Sequence, residues 1–327
     1  MSGKIGKSGM DSVNGKNRTG GGLTHLQKGK GHKNWFSVDK TFDVVNLVLM
    51  VVMLLVFAWP LWFVVIASLS EPGAVYRGEV ILFPKGITLE SYKAILEYKQ
   101  IWIGYRNTIL YTVAGTLINL FFTICLAYPL SRRKFMPKKI IMTIALITMY
   151  FGGGLIPSYM VVRGLHMTNT IWAMMIPNAL SVYNMLIVRA YFLHSIPVSL
   201  EEASTLDGAN PMQYLLRVVL PLSKPVIAVI ALYYMVGHWN DYYSALIYIT
   251  DQGLRPLQSF MRDLLVNNSI TRVTGGSLSP EEMQAKLYLA QTLKYSSIIV
   301  ATVPMLVVYP FVQKYFVKGV MVGSIKG

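Results

Sequence analysis

Ser199-Leu-Glu-Glu-Ala-Ser-Thr-Leu-Asp-Gly-Ala-Asn-Pro-Met-Gln-Tyr-Leu-Leu-Arg-Val-Val-Leu-Pro221 is a long polar island in the second half of the chain that lies between two apolar runs and also carries helix signals. Ser199 is a good N-cap, because its hydroxyl can accept a free N–H of the first turn, and Glu202 stands at the capping-box spacing. Gly208 suits the left-handed conformation that ends a helix. Asn210 caps again, Pro211 fits the first helical position, and Gln213 repeats the box. Met212, Leu215, Leu216 and Val219 fall on one face of that second helix. Pro221 stops or kinks it. The stretch predicts a helix, a tight turn at Gly208 and a second amphipathic helix.

The residues around it are those of a membrane protein. The chain has 327 residues, 54% of them hydrophobic and 14% charged, whereas a soluble domain carries nearer ~25% charged residues. Its mean hydropathy is +0.47. The net charge of +15 suggests nucleic acid at first sight. The basic residues, however, sit in a tail and in short loops between apolar runs, so no nucleic-acid partner is expected and membrane lipid is. Cys125 is the single cysteine. It excludes an intramolecular disulfide and a cysteine-based metal site, and its mid-span position predicts a small packing residue.

In chain order, residues 1–41 are rich in Gly, Ser, Asn and Lys and read as a disordered basic tail. Gly6-Lys7-Ser8 ends like a phosphate loop, but position 1 is Met where that motif needs Gly, and no apolar strand precedes it. Residues 42–327 read as six spans. The first, 42–69, is too long for a signal-peptide core and is expected as a retained anchor. The second covers 107–130 and leads into Ser131-Arg-Arg-Lys-Phe-Met-Pro-Lys-Lys139, five basic residues with no acid. The third, 140–162, is interrupted by Gly152-Gly153-Gly154 and Pro157, which either let helices approach closely or break the helix at a cavity. The fourth covers 171–193, the fifth 222–249 and the sixth 295–317. Thr250 to Leu293 is an external segment in which Ser279-Pro280-Glu281-Glu282 predicts a short helix. Tail, basic loop and C-terminus share one side if there are six spans, so both termini are expected in the cytoplasm.

Glu202-Ala203-Ser204, three residues, Gly208, nine residues and Val218-Val219-Leu220-Pro221 together resemble the EAA loop of ABC-importer permeases, with Ser204 for the family's Ala and Val218 for its Ile. Tyr150-Phe-Gly-Gly-Gly-Leu-Ile-Pro157 resembles a segment of oligosaccharide permeases, and the C-terminal tail is similar to that of sugar permeases. The resemblance implies an all-α, type I (MetI-like) permease fold. It also implies that residues 199–220 are coupling helices, with Glu202, Ala203, Ser204, Asp207, Gly208, Leu220 and Pro221 meeting an ATPase. The implied partners are a second permease in a heterodimer, an ABC ATPase dimer holding ATP and Mg at the cytoplasmic face, and an extracytoplasmic sugar-binding protein. The implied setting is a bacterial cytoplasmic membrane and the implied cargo a carbohydrate. The ordinary alternative for the loop is a surface helical hairpin between spans.

No Walker A motif, His-Glu-x-x-His or Gly-x-Ser-x-Gly is present, and His166, His194 and His238 are scattered singly. The chain is therefore expected to bind no cofactor of its own and not to be an enzyme. In the fifth span, Trp239, Asn240, Asp241 and Tyr243 suit a sugar path. Trp239 and Tyr243, four apart, would share a face, and a carboxylate at that depth needs a partner or a watery cavity. A clamp between helices explains the same residues. A stand-alone transporter or channel, a permease for a non-sugar solute and a membrane scaffold are the competing functions.

Overall fold

The computed structural model describes residues 35–267 and 280–324, all helix and connecting loop, with no strand among them. It divides into two units, Met1–Phe57 and Ala58–Gly327. Helix α1 (Trp35–Ser68) contains Pro60. Residues 35–41 belong to it, and the rest of the expected tail lies outside the described residues. In the first unit its apolar side chains from Phe42 to Phe57 are all exposed, as in a helix that meets lipid on every side.

In the second unit, short helices α2 (Pro72–Tyr76) and α3 (Glu90–Glu97) lead to α4 (Lys99–Ser131). Then come α5 (Lys138–Tyr150) and α6 (Leu155–Gly164), α7 (Trp172–Met175) and α8 (Val182–His194). The polar island forms α9 (Val198–Leu206) and α10 (Pro211–Leu222), the latter with a π-helical turn at Leu215–Val219. Helices α11 (Lys224–Trp239), α12 (Tyr243–Tyr248), α13 (Leu257–Asn267) and α14 (Pro280–Ser324) complete it. Helix α14 starts at the expected Pro280 but is no short separate helix, since it runs on into the last apolar segment; Ser279 lies outside the described residues.

Among the described residues, three helices are long and apolar enough to cross a membrane: Lys40–Ser68, Lys99–Ser131 and Leu287–Pro310. The other segments expected as spans are broken. Helices α5 and α6 meet at 116° and α10 and α11 at 81°, so the count rises to five if each bent pair is one span. The breaks have local causes. Gly154 has φ +85, which a residue with a Cβ rarely adopts, and Pro157 sits in the first turn of α6. Of the two readings of the glycine run, the structure takes the break. Segment 171–193 is split at residues 176–181, where Pro177 lacks a donor and the Ser181 hydroxyl accepts Asn184 N at 3.3 Å to restart the helix. Segment 222–249 is split at Asn240–Tyr242.

Helix α4 is the post on which these pieces hang. Its buried face reads Gly104, Thr108, Tyr111, Gly115, Asn119, Thr123, Ala127, mostly small or polar and three or four apart. Small residues let backbones close in, and polar ones bond across helices. A Cβ on Gly115 would lie 2.5 Å from His238 Nε2, and one on Gly104 would lie 3.0 Å from Leu257 Cα. Asn119 then takes both of its neighbours. Its Nδ2 donates to Asn178 O at 2.6 Å, in the split between α7 and α8, and its Oδ1 lies 2.6 Å from His238 Nε2 on α11. Thr123 Oγ1 meets Tyr234 OH at 2.8 Å, and Tyr234 OH accepts Ser181 N. At the other end, Asn107, Thr108 and Tyr111 hold loop 253–257 through Gly253 O, Leu257 N and Leu254 O. Cys125 falls off this face and is exposed, so it is not the packing residue expected.

Replacing Asn119 with Leu keeps most of the volume but strands Asn178 O and His238. Each buried group left unpaired costs ~1–3 kcal/mol. The thermal midpoint of the detergent-solubilised complex should fall by several degrees, whereas Val113→Ala on the exposed face of α4 should leave it within error. Equal midpoints would show that these bonds do not hold the helices.

Candidate coupling surface and polar cavity

The polar island folds much as its sequence predicts, with two differences. Helix α9 begins at Val198 behind Pro197, whose φ is −61 with extended ψ, so the proline and not Ser199 sets the boundary, and no side-chain cap forms. The Ser199–Glu202 capping box is therefore absent. Gly208 has φ +75, and Gly208 N and Ala209 N bond back to Thr205 O and Ser204 O, which closes the helix. The second box is complete: Asn210 Oδ1 accepts Gln213 N at 2.8 Å, and Gln213 Oε1 accepts Asn210 N at 3.0 Å. Met212, Leu215, Leu216 and Val219 do not share a face. Leu215 and Val219 are buried, while Met212 and Leu216 are more than half exposed, because the π turn adds a residue and rotates the stripe. Pro221 lies in the last turn before the 81° bend.

Of the expected coupling residues, Glu202, Ala203, Asp207, Gly208 and Pro221 are exposed, and Ser204 and Leu220 half-buried. Leu206, 89% exposed, projects beside the Gly208 turn. Most of this set thus lies on an open surface.

Beneath it lies a contact that the sequence reading missed. Arg132, the first residue of the basic loop, donates through Nη1 to Glu201 Oε2 at 3.0 Å. Its guanidinium stands over the rings of Tyr128 and Tyr214, 5.0 and 5.6 Å from their centroids. Tyr128 OH donates to Pro211 O at 2.8 Å, and Arg189 Nε donates to Leu130 O at 3.0 Å. Burial pushes the Tyr214 phenol up and Arg132 draws it back. The C-terminal end of α4 is thereby tied to α8, α9 and α10. Only the adjacency of basic loop and acidic island in charge could have hinted at this.

The breaks in the helices surround two adjoining cavities. One, of about 620 Å³, is lined by Gly152–Gly154, Asn178, Tyr243 and Ser244 among others. The second, of about 490 Å³, is polar: Asn119, Asn178, Ser181, Asn184, Asn240 and Asp241 line it, with Tyr243 and Ser244 again. Irregular backbone at membrane depth is tolerated where it borders such a cavity. Asp241 Oδ1 accepts Ser244 N at 2.9 Å and so caps α12. Asn240 lines this cavity and a neighbouring apolar one. Trp239 is elsewhere. It is buried between α4, α13 and α14, and its Nε1 donates to Ala301 O at 3.0 Å. The face expected to join Trp239 and Tyr243 does not exist, because α11 ends at Trp239 and the helical period is interrupted before Tyr243.

Residues 101–322 match the family described as binding-protein-dependent transport system inner membrane component. The chain belongs to that family. It is a permease subunit of an ABC importer. Protein LplC of Bacillus subtilis (strain 168) is 35% identical over 288 residues, covering 88% of this chain and 96% of that protein. The polygalacturonan/rhamnogalacturonan transport system permease protein YtcP of the same organism is 34% identical over 294 residues, covering 88% and 99%. A chain in the crystal structure of a bacterial ABC transporter involved in import of the acidic polysaccharide alginate is 32% identical, with a TM-score of 0.77, covering 85% and 98%.

The Arg132–Glu201 contact is checked by a double-mutant cycle on the assembled permease. Each alanine variant should lower stability, and the pair should show a coupling of roughly 0.5–1.5 kcal/mol, more than an open surface pair because Arg132 also stacks on two rings. A coupling of zero in thermal unfolding would mean that the ion pair does not join the coupling helix to α4.

Proposed function

We propose that this permease carries oligosaccharides or other carbohydrates as half of a heterodimeric translocation pathway. The single observation that carries this reading is the polar cavity bordered by the helix breaks at 176–181 and 240–242 and lined by Asn, Ser, Tyr, His238 and one Asp side chain. Amides and hydroxyls match sugar hydroxyls, and an aromatic ring such as Tyr243 offers an apolar face for a pyranose. Relatives named for polygalacturonan and alginate point the same way. In this reading Asn240, Asp241 and Tyr243 belong to the path, while Trp239 is a clamp between α11 and α14.

The topology that fits is six crossings: α1, α4, α5–α6, α7–α8, α11–α12 and α14, with both termini in the cytoplasm. Helix α11 alone, at ~1.5 Å per residue, rises about 24 Å and falls short of a ~30 Å hydrocarbon layer, so α12 is needed to complete the crossing. Arg132 touching Glu201 supports a shared side for the basic loop and the polar island. The membrane is then a bacterial inner membrane, crossed several times.

ATP and Mg are held, and ATP is hydrolysed, by a separate ATPase dimer, and this chain binds no cofactor. The ATPase docks on Glu202, Ala203, Ser204, Asp207, Gly208, Leu220 and Pro221, with Leu206 and Met212 as exposed apolar knobs. Closure of the ATPases moves α9 and α10 as one piece, and the Arg132 contact carries that motion into α4. ATP shifts the access equilibrium only by its preference for one state. An extracytoplasmic sugar-binding protein delivers cargo to the opposite face.

Two experiments test these assignments. Glu202→Ala and Gly208→Pro should abolish ATP-driven sugar uptake by the reconstituted importer. Glu202 is exposed and caps nothing, so its loss should move stability by no more than ~0.5 kcal/mol. Uptake at the wild-type rate in both variants would dismiss the docking surface. For the binding protein, a photo-crosslinker at Gln284, exposed near the start of α14, should yield an adduct. Failure there and at neighbouring exposed positions of α14 would remove this face from the interface. Ser277, in the same external segment, lies outside the described residues.

A further inference from the structure

The charge of the polar cavity narrows the cargo. Its lining offers amides from Asn178 and Asn184 and hydroxyls from Ser181 and Tyr243, and Asp241 is its carboxylate; the Asn119 amide is fully buried and held by Asn178 O and His238. Among the described residues neither it nor the adjoining cavity is lined by Lys or Arg. The other ionisable ring, His238, has its Nε2 engaged by Asn119. Asp241 is half-exposed, Oδ1 caps α12 through Ser244 N, and no hydrogen bond to Oδ2 exists among the described residues. The carboxylate thus has a free acceptor on the cavity side and no cation there to offset it.

Resting on the carbohydrate reading above, we propose that Asp241 makes this path selective for uncharged, hydroxyl-rich sugar chains over uronate chains. A neutral pyranose donates O–H groups to Oδ2 and to the amide oxygens, and lays its C–H face on Tyr243. A uronate brings a carboxylate on every ring. In a cavity less polar than bulk water, that charge and Asp241 repel, and no Lys or Arg of this chain lines the cavity to neutralise either. The inference separates this chain from both relatives named for uronate polymers, alginate and polygalacturonan.

Asp241→Asn is a clean probe, because Asn retains the acceptor for Ser244 N and caps helices as well as Asp does. The intact importer, isolated through a tag on this chain and reconstituted with ATP inside vesicles, is given two sets of labelled tetrasaccharides. One is a neutral panel of gluco, xylo, galacto and manno series; the other is uronate chains of the same length. The wild type should take up its best neutral sugar about tenfold faster than any uronate, the ratio set by a modest like-charge repulsion. Asp241→Asn should narrow that ratio several-fold, chiefly by raising uronate uptake. The ratio of variant to wild type is read with the same binding protein in both, so that protein's own preference cancels. Uronate uptake equal to or faster than neutral uptake in the wild type overturns the proposal, as does an unchanged ratio in the variant. Either result leaves the carbohydrate reading standing. ATP-driven uptake of neither panel overturns that reading and this one together.

Discussion

The rest of the structure depends on satisfying broken backbone inside a bilayer. A continuous helix bonds its own N–H and C=O groups; a split one exposes some of them, and the hydrocarbon layer offers no water to replace the lost partners. Three segments of this chain are split at about the same place. Asn119 supplies what one split needs by donating to Asn178 O, while its own oxygen is engaged by His238. Asp241 does the same for the start of α12, and Ser181 for the start of α8. The cost of breaking helices is thus met by side chains aimed at the breaks. A polar cavity then results without further design, since the groups that satisfy the backbone also face the space the breaks create.

That constraint explains why α4 has its composition. A helix buried among others in a membrane gains little from apolar burial, because lipid is as apolar as a neighbouring Leu. What it gains is close approach and hydrogen bonds. Gly104 and Gly115 give the first, to the Leu257 backbone and to the His238 ring; Asn107, Thr108, Asn119 and Thr123 give the second. The large exposed residues Phe121, Phe122, Leu117 and Val113 face outward. The helix is inverted relative to one in a soluble protein, with its polar stripe inside.

Much of the fold was legible because its signals are local. Gly208, Asn210, Pro211 and Gln213 act through their own backbone neighbourhood, and the structure bears out the turn and the second capping box. Ser199 and Glu202 failed as a box for an equally local reason, Pro197 two residues before Ser199. The π turn in α10 was not legible, because nothing in Leu-Leu-Arg-Val-Val distinguishes it from an α turn, and it moved Met212 and Leu216 to the surface. The continuous helices were legible as uninterrupted apolar runs, but two of the breaks were not, because a short polar insert inside an apolar run reads the same whether it is a break or a tolerated interruption, as at Pro177-Asn178 and Asn240-Asp241. Asn119 and His238 are 119 residues apart. Each reads alone as a lone polar residue in a span, and only the fold shows them to be one contact.

Trp239 shows how such a break changes chemistry as well as shape. On a continuous helix it would face the same way as Tyr243, and both would border the path. Ending α11 at Trp239 sends the indole toward α14, where it donates to Ala301 O, and leaves Tyr243 free to line both cavities. One anchor and one lining residue come from two aromatic positions four apart. Holding and lining are thus assigned to different side chains. Here the division falls at Asn240, where the apolar cavity beside Trp239 meets the polar one beside Asp241. The indole thus holds α11 to α14 while Asp241 and Tyr243 face the polar cavity.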